Sequence, residues 1–263
     1  MELMANNSYI AKVEASLGRL MPVSLDALGS VSLMNRIEVK YLLNLSKVSS
    51  LIDLLADRYQ ALEIGERRLF PYSSTYMDTA DSLFYCQHVR GQFDRFKIRY
   101  RLYESTDLSF LEVKKRTNKG RSIKWRIEKR ADDGIFDPQA KGFIEKHSPV
   151  TADSIRPVLI NRFTRITLAG IESRERITID FNITFSDFNG NASFSFPWLA
   201  IVEFKKESYA DSSYFRSIIK NVNAYPTAFS KYCVGSSLLN NALKKNVLKR
   251  KLLLIKKLEN ECN

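Results

Sequence analysis

The spacing of apolar positions changes period along the chain. Near the N-terminus Ile10, Val13, Leu17 and Leu20 recur at helical intervals until Pro22, Gly29 and Ser30 break the pattern, which predicts a short helical lead-in. Val48, Leu51, Ile52, Leu55 and Tyr59 recur the same way, which predicts one amphipathic helix over about 46–62 with Ser46 as its cap. After Leu69 the chain turns to short alternating segments rich in Tyr, Phe, Ile and Thr, divided by turn clusters at 78–82, 117–120, 132–134 and 189–191. The middle is therefore read as mostly β. From about residue 208 helical spacing returns in Tyr214, Phe215, Ile218, Ile219 and Val222, stops at Tyr225 and Pro226, and gives way to a final helix from about residue 236. No linker or internal repeat divides the chain. The reading is one α+β domain over 34–239, with a helical lead-in at 1–33 and a basic C-terminal helix at 240–263.

Within the strand-like segments, charge alternates with apolar bulk. Side chains at i and i+2 share a face, so Arg95, Lys97, Arg99 and Arg101 line one side while Phe96, Ile98, Tyr100 and Leu102 line the other. The same holds for Arg36, Glu38 and Lys40, for Glu112 and Lys114, and for Lys124, Arg126 and Glu128. It recurs in Arg174, Arg176, Thr178 and Asp180 and in Glu203 and Lys205, with Arg165 in a seventh segment. An antiparallel sheet with one wet face explains any single strand of this kind. Across six or seven strands it does not, because these faces carry thirteen basic residues against five acidic ones. If the strands curl into a closed antiparallel β-barrel with the apolar faces outward under flanking helices, the charged faces line a water-filled lumen that focuses a positive potential.

Composition sharpens this picture. Of 263 residues 44% are apolar and 11% aromatic, ample for a core, and 41 Lys and Arg against 29 Asp and Glu leave a net charge of +12. Such an excess implies an anionic partner. Seven basic residues against two acidic ones fall in the last twenty positions, read as a solvated amphipathic end helix in preference to a contact with anionic membrane or nucleic acid. No run approaches the ~18 consecutive apolar residues of a membrane helix, and the first thirty residues lack the order of a signal peptide, so the expected location is cytoplasmic. Cys86, Cys233 and Cys262 are too few and too scattered for a disulfide framework or a cysteine metal cluster.

Rows of guanidinium and ammonium groups suit rows of phosphates, through paired hydrogen bonds and charge neutralisation. Carboxylates among them either pair with the cations or hold a hard divalent ion such as Mg²⁺ or Mn²⁺. Glu203 and Glu38 are the metal candidates; Glu112 and Glu128 are read as ion-pair partners. Lys97, Arg95, Lys124 and Arg126 line the lumen or stand at its rim. His88 and His147 read as surface histidines, Cys86 and Cys233 as buried thiols, and Asp78 as fixing a turn or pairing with a basic residue.

These residues also carry a family resemblance. The chain resembles the VTC domain, the polyphosphate polymerase domain of the vacuolar transporter chaperone complex and its stand-alone bacterial relatives, within the triphosphate tunnel metalloenzymes. The likeness rests on Asn35-Arg36-Ile37-Glu38-Val39-Lys40-Tyr41, Tyr76-Met77-Asp78-Thr79, Arg95-Phe96-Lys97-Ile98-Arg99-Tyr100-Arg101 and Phe110-Leu111-Glu112-Val113-Lys114. Arg156-Pro157-Val158, Phe163-Thr164-Arg165, Arg176-Ile177-Thr178-Ile179-Asp180, Val202-Glu203-Phe204-Lys205 and Phe229-Ser230-Lys231-Tyr232 follow in order. The resemblance implies a triphosphate tunnel fold in which Lys40, Arg99, Arg101, Lys114, Arg165, Arg176 and Lys231 grip phosphates. It also implies that Glu203 coordinates Mn²⁺ or Mg²⁺ and that Ser230 lies beside the phosphate; from the charge pattern, Glu38 is read as the second metal candidate and Arg36, Lys97 and Lys205 as supporting substrate-binding residues. The implied reaction moves the γ-phosphoryl group of ATP onto inorganic polyphosphate and releases ADP. Two positions depart from the pattern: Arg36 replaces the first glutamate of the hydrolytic and cyclase branches, which disfavours those chemistries, and Phe163 replaces a usual tyrosine.

Two other functions rank below the polymerase: a triphosphate or polyphosphate hydrolase on the same fold, and a non-catalytic binder of polyphosphate or nucleic acid. Nucleic acid is the less expected ligand, because the aromatic residues fall on the apolar strand faces rather than among the cations. A membrane partner protein enters only if translocation is coupled to synthesis.

Overall fold

The computed structural model describes residues 2–30, 37–119, 121–129, 136–207 and 213–262. It opens with α1 (Glu2–Leu17), β1 (Pro22–Val23), α2 (Leu25–Ser30), β2 (Ile37–Asn44), α3 (Val48–Leu55), β3 (Tyr59–Leu62) and β4 (Phe70–Thr79). Next come α4 (Leu83–Val89), β5 (Arg95–Tyr103), β6 (Leu108–Arg116), β7 (Ser122–Glu128), α5 (Pro138–His147), β8 (Ile155–Gly170) and β9 (Glu175–Ser186). The chain ends in β10 (Ser193–Phe196), β11 (Leu199–Lys206), α6 (Tyr214–Ile218), α7 (Lys231–Leu239) and α8 (Lys249–Glu259).

The strands form one sheet in the order β2-β11-β9-β8-β4-β5-β6-β7, antiparallel throughout; β3 and β10 attach to β8 and β9, and β1 pairs in parallel with β3. The expected closed barrel is not what the ladder shows. Among the described residues no backbone pairing joins β2 to β7, so the sheet is open but curled. Its flanks approach closely enough for Lys114 of β6 to stand 3.8 Å from Glu38 of β2. The edge of β2 is instead met by the segment before α7: Tyr41 bridges Pro226, and the Thr227 N–H donates to the Lys40 carbonyl at 2.7 Å.

The convex face is apolar. Tyr41 and Leu43, Ile166 and Leu168, Ile177 and Ile179, and Val202 and Phe204 pack with Val13 and Leu17 of α1, with Val48, Leu51, Ile52 and Leu55 of α3 and with Phe215 of α6. Ile98, Tyr100, Leu111 and Val113 lie in a second cluster with Ala140 and Ile144 of α5. Each such side chain contributes ~1.5–3 kcal/mol of burial. The alternation read from sequence thus puts its apolar half under helices.

Helix boundaries differ from expectation for local reasons. α3 ends at Leu55, and Tyr59 belongs to β3, so the helix expected over 46–62 is half that length. Its entry is a 3-10 turn whose cap is Asn44, which accepts from the Ser46 N–H at 2.9 Å. The expected single terminal helix is two, α7 and α8, with Leu248, Ile255 and Leu258 of the second buried. α8 is anchored to β2 where Asn44 donates to the Leu258 carbonyl at 2.7 Å. Asp78 spans the turn into α4, and among the described residues no cation pairs with it. It accepts from the Phe84 and Tyr85 N–H groups at the start of α4 and from the Tyr232 hydroxyl of α7. α7 lies against the sheet at Gly235, where a Cβ would meet the Phe185 ring at 2.5 Å and Leu159 at 3.0 Å, so only glycine allows this approach.

Candidate active site

The strand registers place the charged residues opposite one another on the concave face. Glu203 of β11 faces Lys40 of β2 and Thr178 of β9; Lys205 faces Glu38 and Arg176; Arg165 of β8 faces Asp180 of β9. Across the other half Arg101 faces Ser74, Arg99 faces Tyr76 and Glu112, and Lys97 faces Lys114, which faces Lys124. Arg36 lies outside the described residues. Arg174 does not join this face: it precedes β9, is exposed, and meets Glu207 at 3.4 Å. Arg176 sits on the face and donates to the Leu28 carbonyl at 2.6 Å, which ties it to α2.

Carboxylates organise the cations into groups. Arg165 makes a two-point contact with Asp180 at 2.6 and 2.8 Å, and Lys231, the first residue of α7, also donates to Asp180. Burial works against the Asp180 carboxylate, but Arg165 and Lys231 outweigh it and hold its pKa down at about 2. Glu112 receives Arg99 at 2.8 Å and Lys124 at 3.1 Å, and despite burial these with Arg101 keep it well below the usual carboxylate range. Lys40 binds both Glu38 and Glu203, the latter at 2.9 Å, and Lys205 also pairs with Glu203. Burial raises Glu203, yet Lys205, Lys40 and Arg165 hold it well below its ordinary value.

Other cations stay under-compensated. Lys97 donates to the Ser230 hydroxyl at 3.1 Å, and Arg101 donates to Ser74 at 3.2 Å. Burial lowers the pKa of Lys97 to about 8, with Lys40 and Arg99 adding to the effect. It lowers Lys114 to about 7, Glu203 opposing and Lys97 and Lys40 reinforcing. Lys231 falls to about 8 because burial and Arg165 outweigh Asp180. Ser230 caps α7 by accepting from the Cys233 N–H at 3.2 Å, so the positive end of that helix dipole lies beside Lys97.

An aromatic floor lies beneath these groups. Phe163 stacks on Tyr72 at 5.4 Å, with Lys231 4.0 Å and Arg165 5.2 Å from the Phe163 ring. The residue standing where the family usually has tyrosine therefore keeps a packing role. The Tyr76 hydroxyl accepts from Arg99 at 3.2 Å; burial raises its pKa, but Arg99, Arg101 and Lys231 bring it below the ordinary phenol value. Tyr72, Ser74 and Tyr76 were not singled out as site residues from the sequence, although their i, i+2 spacing in 72–76 is the signal that groups them.

A cavity of about 1250 Å³ opens on this face, lined among others by Glu38, Lys40, Lys97, Lys114, Lys124 and Ser230. His88 also lines it. The surface reading of that histidine is corrected: it is half-buried, its Nδ1 lies 2.9 Å from the Phe84 carbonyl, and burial with Lys97 nearby drops its pKa to about 3. His147 stacks on Trp125 at 4.8 Å instead of standing free. Cys233 is buried as expected, whereas Cys86 is only partly so.

Among the described residues no three His, Cys, Asp or Glu side chains gather into a metal cluster. Glu38 and Glu203 are diagonal neighbours on adjacent strands, and the buried Thr178 hydroxyl opposite Glu203 has no hydrogen-bond partner among the described residues. Glu203 with the Thr178 hydroxyl across from it, and Glu38 on the neighbouring strand, offer oxygen donors of the kind a hard divalent ion takes, its remaining ligands coming from water and phosphate oxygens.

No helix among the described residues is long and apolar enough to cross a membrane. A comparison with curated proteins gives no match. Among solved structures, the chain is similar to a putative adenylyl cyclase from Hippeastrum described as having a dominant triphosphatase activity, at 14% identity over 78% of this chain and 97% of that one, TM-score 0.49. It is also similar to putative adenylate cyclases from Bacillus halodurans (14% identity, 75% and 96% of the two chains, TM-score 0.47) and Vibrio parahaemolyticus (13%, 76% and 97%, 0.46). The VTC domain family matches residues 35–240, the span that supplies β2 to β11, α7 and every cation of the concave face named above, and the chain belongs to that family.

Proposed function

We propose that the protein is a metal-dependent polyphosphate polymerase that transfers the γ-phosphoryl group of ATP to the end of an inorganic polyphosphate chain, releasing ADP. The observation that carries this reading is the concave face itself, where Lys97 stands directly opposite Lys114 and Lys114 opposite Lys124 on three neighbouring strands. Like charges facing each other across strands destabilise a sheet. A polyanion laid along them removes that cost.

Lys40, Arg99, Arg101, Lys114, Arg165, Arg176 and Lys231 bind and orient the phosphates, with Lys97, Lys205 and Ser230 in support. Arg36 keeps its expected assisting role outside the described residues. Glu203 and Glu38 hold Mn²⁺ or Mg²⁺, which neutralises charge on the transferring phosphoryl group when bound. No protein nucleophile is needed. A terminal oxygen of the polyphosphate attacks the γ-phosphorus as the bond to the bridging β,γ-oxygen breaks, and the electron pair leaves with ADP. The cations supply in-line positioning and stabilise the charge that spreads over the equatorial oxygens.

The test is product analysis after incubation of the protein with ATP and Mn²⁺. Polyphosphate accumulating together with ADP is the expected result. ADP with free phosphate and no polymer would assign the site to hydrolysis, and tight polyphosphate binding without turnover would leave a binding protein.

A further inference from the structure

Asp78, near the end of β4, is 1% exposed and spends its two oxygens on four donors. Oδ1 accepts from the Thr79 and Phe84 N–H groups at 2.8 and 2.9 Å. Oδ2 accepts from the Tyr85 N–H at 3.0 Å and from the Tyr232 hydroxyl, 154 residues further along the chain. The three backbone donors shape the turn into α4; the fourth bond reaches α7. Burial and Asp78 push the Tyr232 phenol well above its ordinary value, so it stays a proton donor. The Tyr232 ring stacks on Tyr76 at 5.1 Å, and the Tyr76 hydroxyl accepts from Arg99 at 3.2 Å. Tyr232 is the second residue of α7, so what holds it also sets its neighbours. Ser230, the cap, receives Lys97 at 3.1 Å, and Lys231 binds Asp180 with its ammonium 4.0 Å from the Phe163 ring centroid. The chain reaches α7 through 224–230, which holds no helix or strand apart from the bridge at Pro226, so this approach does not itself fix where the helix begins.

We infer that Asp78 is a positioning residue for the phosphate site: through the Tyr232 hydroxyl it fixes the first turn of α7 and so presents Lys231 to the phosphates. The inference rests on the phosphate-binding role proposed for Lys231 and adds what holds that lysine in place. Asp78 and Tyr232 touch no substrate; they act through the helix. A lysine on a fixed turn gives up much of its freedom when the protein folds, not when the ligand arrives, so it binds an anion more tightly than the same lysine on a loose turn. A carboxylate suits the anchor because a hydrogen bond to a charged acceptor is roughly twice as strong as one between neutral groups. Its burial keeps water from competing for the Tyr232 hydroxyl.

The test is a set of double-mutant cycles on tripolyphosphate affinity, measured by calorimetry on the full chain without metal. Tyr232→Phe deletes one hydroxyl and should weaken binding about fivefold, the order of one hydrogen bond. In a Lys231→Ala background the same change should cost less than about twofold, because the group it positions is gone. In a Lys114→Ala background, where the missing cation lies on β6, the fivefold loss should persist. Asp78→Asn should weaken binding at least as much, and Tyr232→Phe should add nothing to it; since Asp78 also anchors α4, Tyr232→Phe alone decides if that variant does not fold. A purely structural role would lower affinity alike in both lysine backgrounds, so the selective coupling to Lys231 is what separates the two. Unchanged affinity in Tyr232→Phe, a fivefold loss that survives Lys231→Ala, or a loss that shrinks equally in Lys114→Ala would each overturn the positioning role and leave the phosphate reading intact. Failure of the unaltered protein to bind tripolyphosphate would overturn the phosphate reading and this inference with it.

Discussion

Lys97 and Lys114 face each other across β5 and β6, two cations in direct register. Their pKa values are depressed to about 8 and about 7, burial being the main cause in each. A folded-state lysine below its usual ~10.4 binds fewer protons than in the unfolded chain, so stability rises with pH between the two values. For the unliganded protein, the destabilisation due to this pair is full below about 7 and relieved as pH climbs from there toward ~10.4. Chemical denaturation at pH 7 and pH 9 should show the higher midpoint at pH 9.

Phosphate binding reverses this effect. An anion beside the two lysines favours their charged forms, so binding of tripolyphosphate at pH 8 should take up about one to two protons. Calorimetry in two buffers of different ionisation enthalpy measures that number. Zero uptake, or release, would place the phosphates elsewhere.

Asp180 couples two elements, since Arg165 of β8 and Lys231 of α7 both bind it. Asp180→Asn leaves two half-buried cations without their carboxylate, and the expected loss is ~3–5 kcal/mol of stability. The native carboxylate, depressed to about 2, contributes stability that is complete above about 4 and lost as pH falls through about 2. The variant should therefore flatten the acid limb of the stability profile over that interval, as read by denaturant titration.

Glu203 sits among Lys40 and Lys205, where it repels phosphate and, in the proposed function, holds the metal. Glu203→Gln should lower metal-dependent turnover by ~10²-fold or more while tightening polyphosphate binding in the absence of metal. The opposite signs separate a metal ligand from a purely structural partner, for which both quantities would fall.

The shared charged face was legible because strand side chains alternate with period two, which needs no knowledge of partners. What pairs with what was not. Arg99 finds Glu112 thirteen residues away and Arg165 finds Asp180 fifteen away, contacts that only register fixes. Tyr59 continued the helical spacing of Val48 to Leu55 yet lies in β3, because its strand adds to β8 and tertiary pairing overrides local period. The absence of a β2–β7 ladder among the described residues was equally unreadable: Pro226 and Thr227 meet the edge of β2, and nothing in their composition announces that. His88 looked exposed among polar neighbours, but α4 turns it into the cavity.

A phosphoryl transfer from ATP to polyphosphate on the lysine face also runs backward when the products are supplied. Supplied with long-chain polyphosphate, ADP and Mn²⁺, the protein should form ATP, and Lys114→Ala should abolish that formation. Release of free phosphate at a rate indifferent to ADP, with no ATP formed, would contradict it.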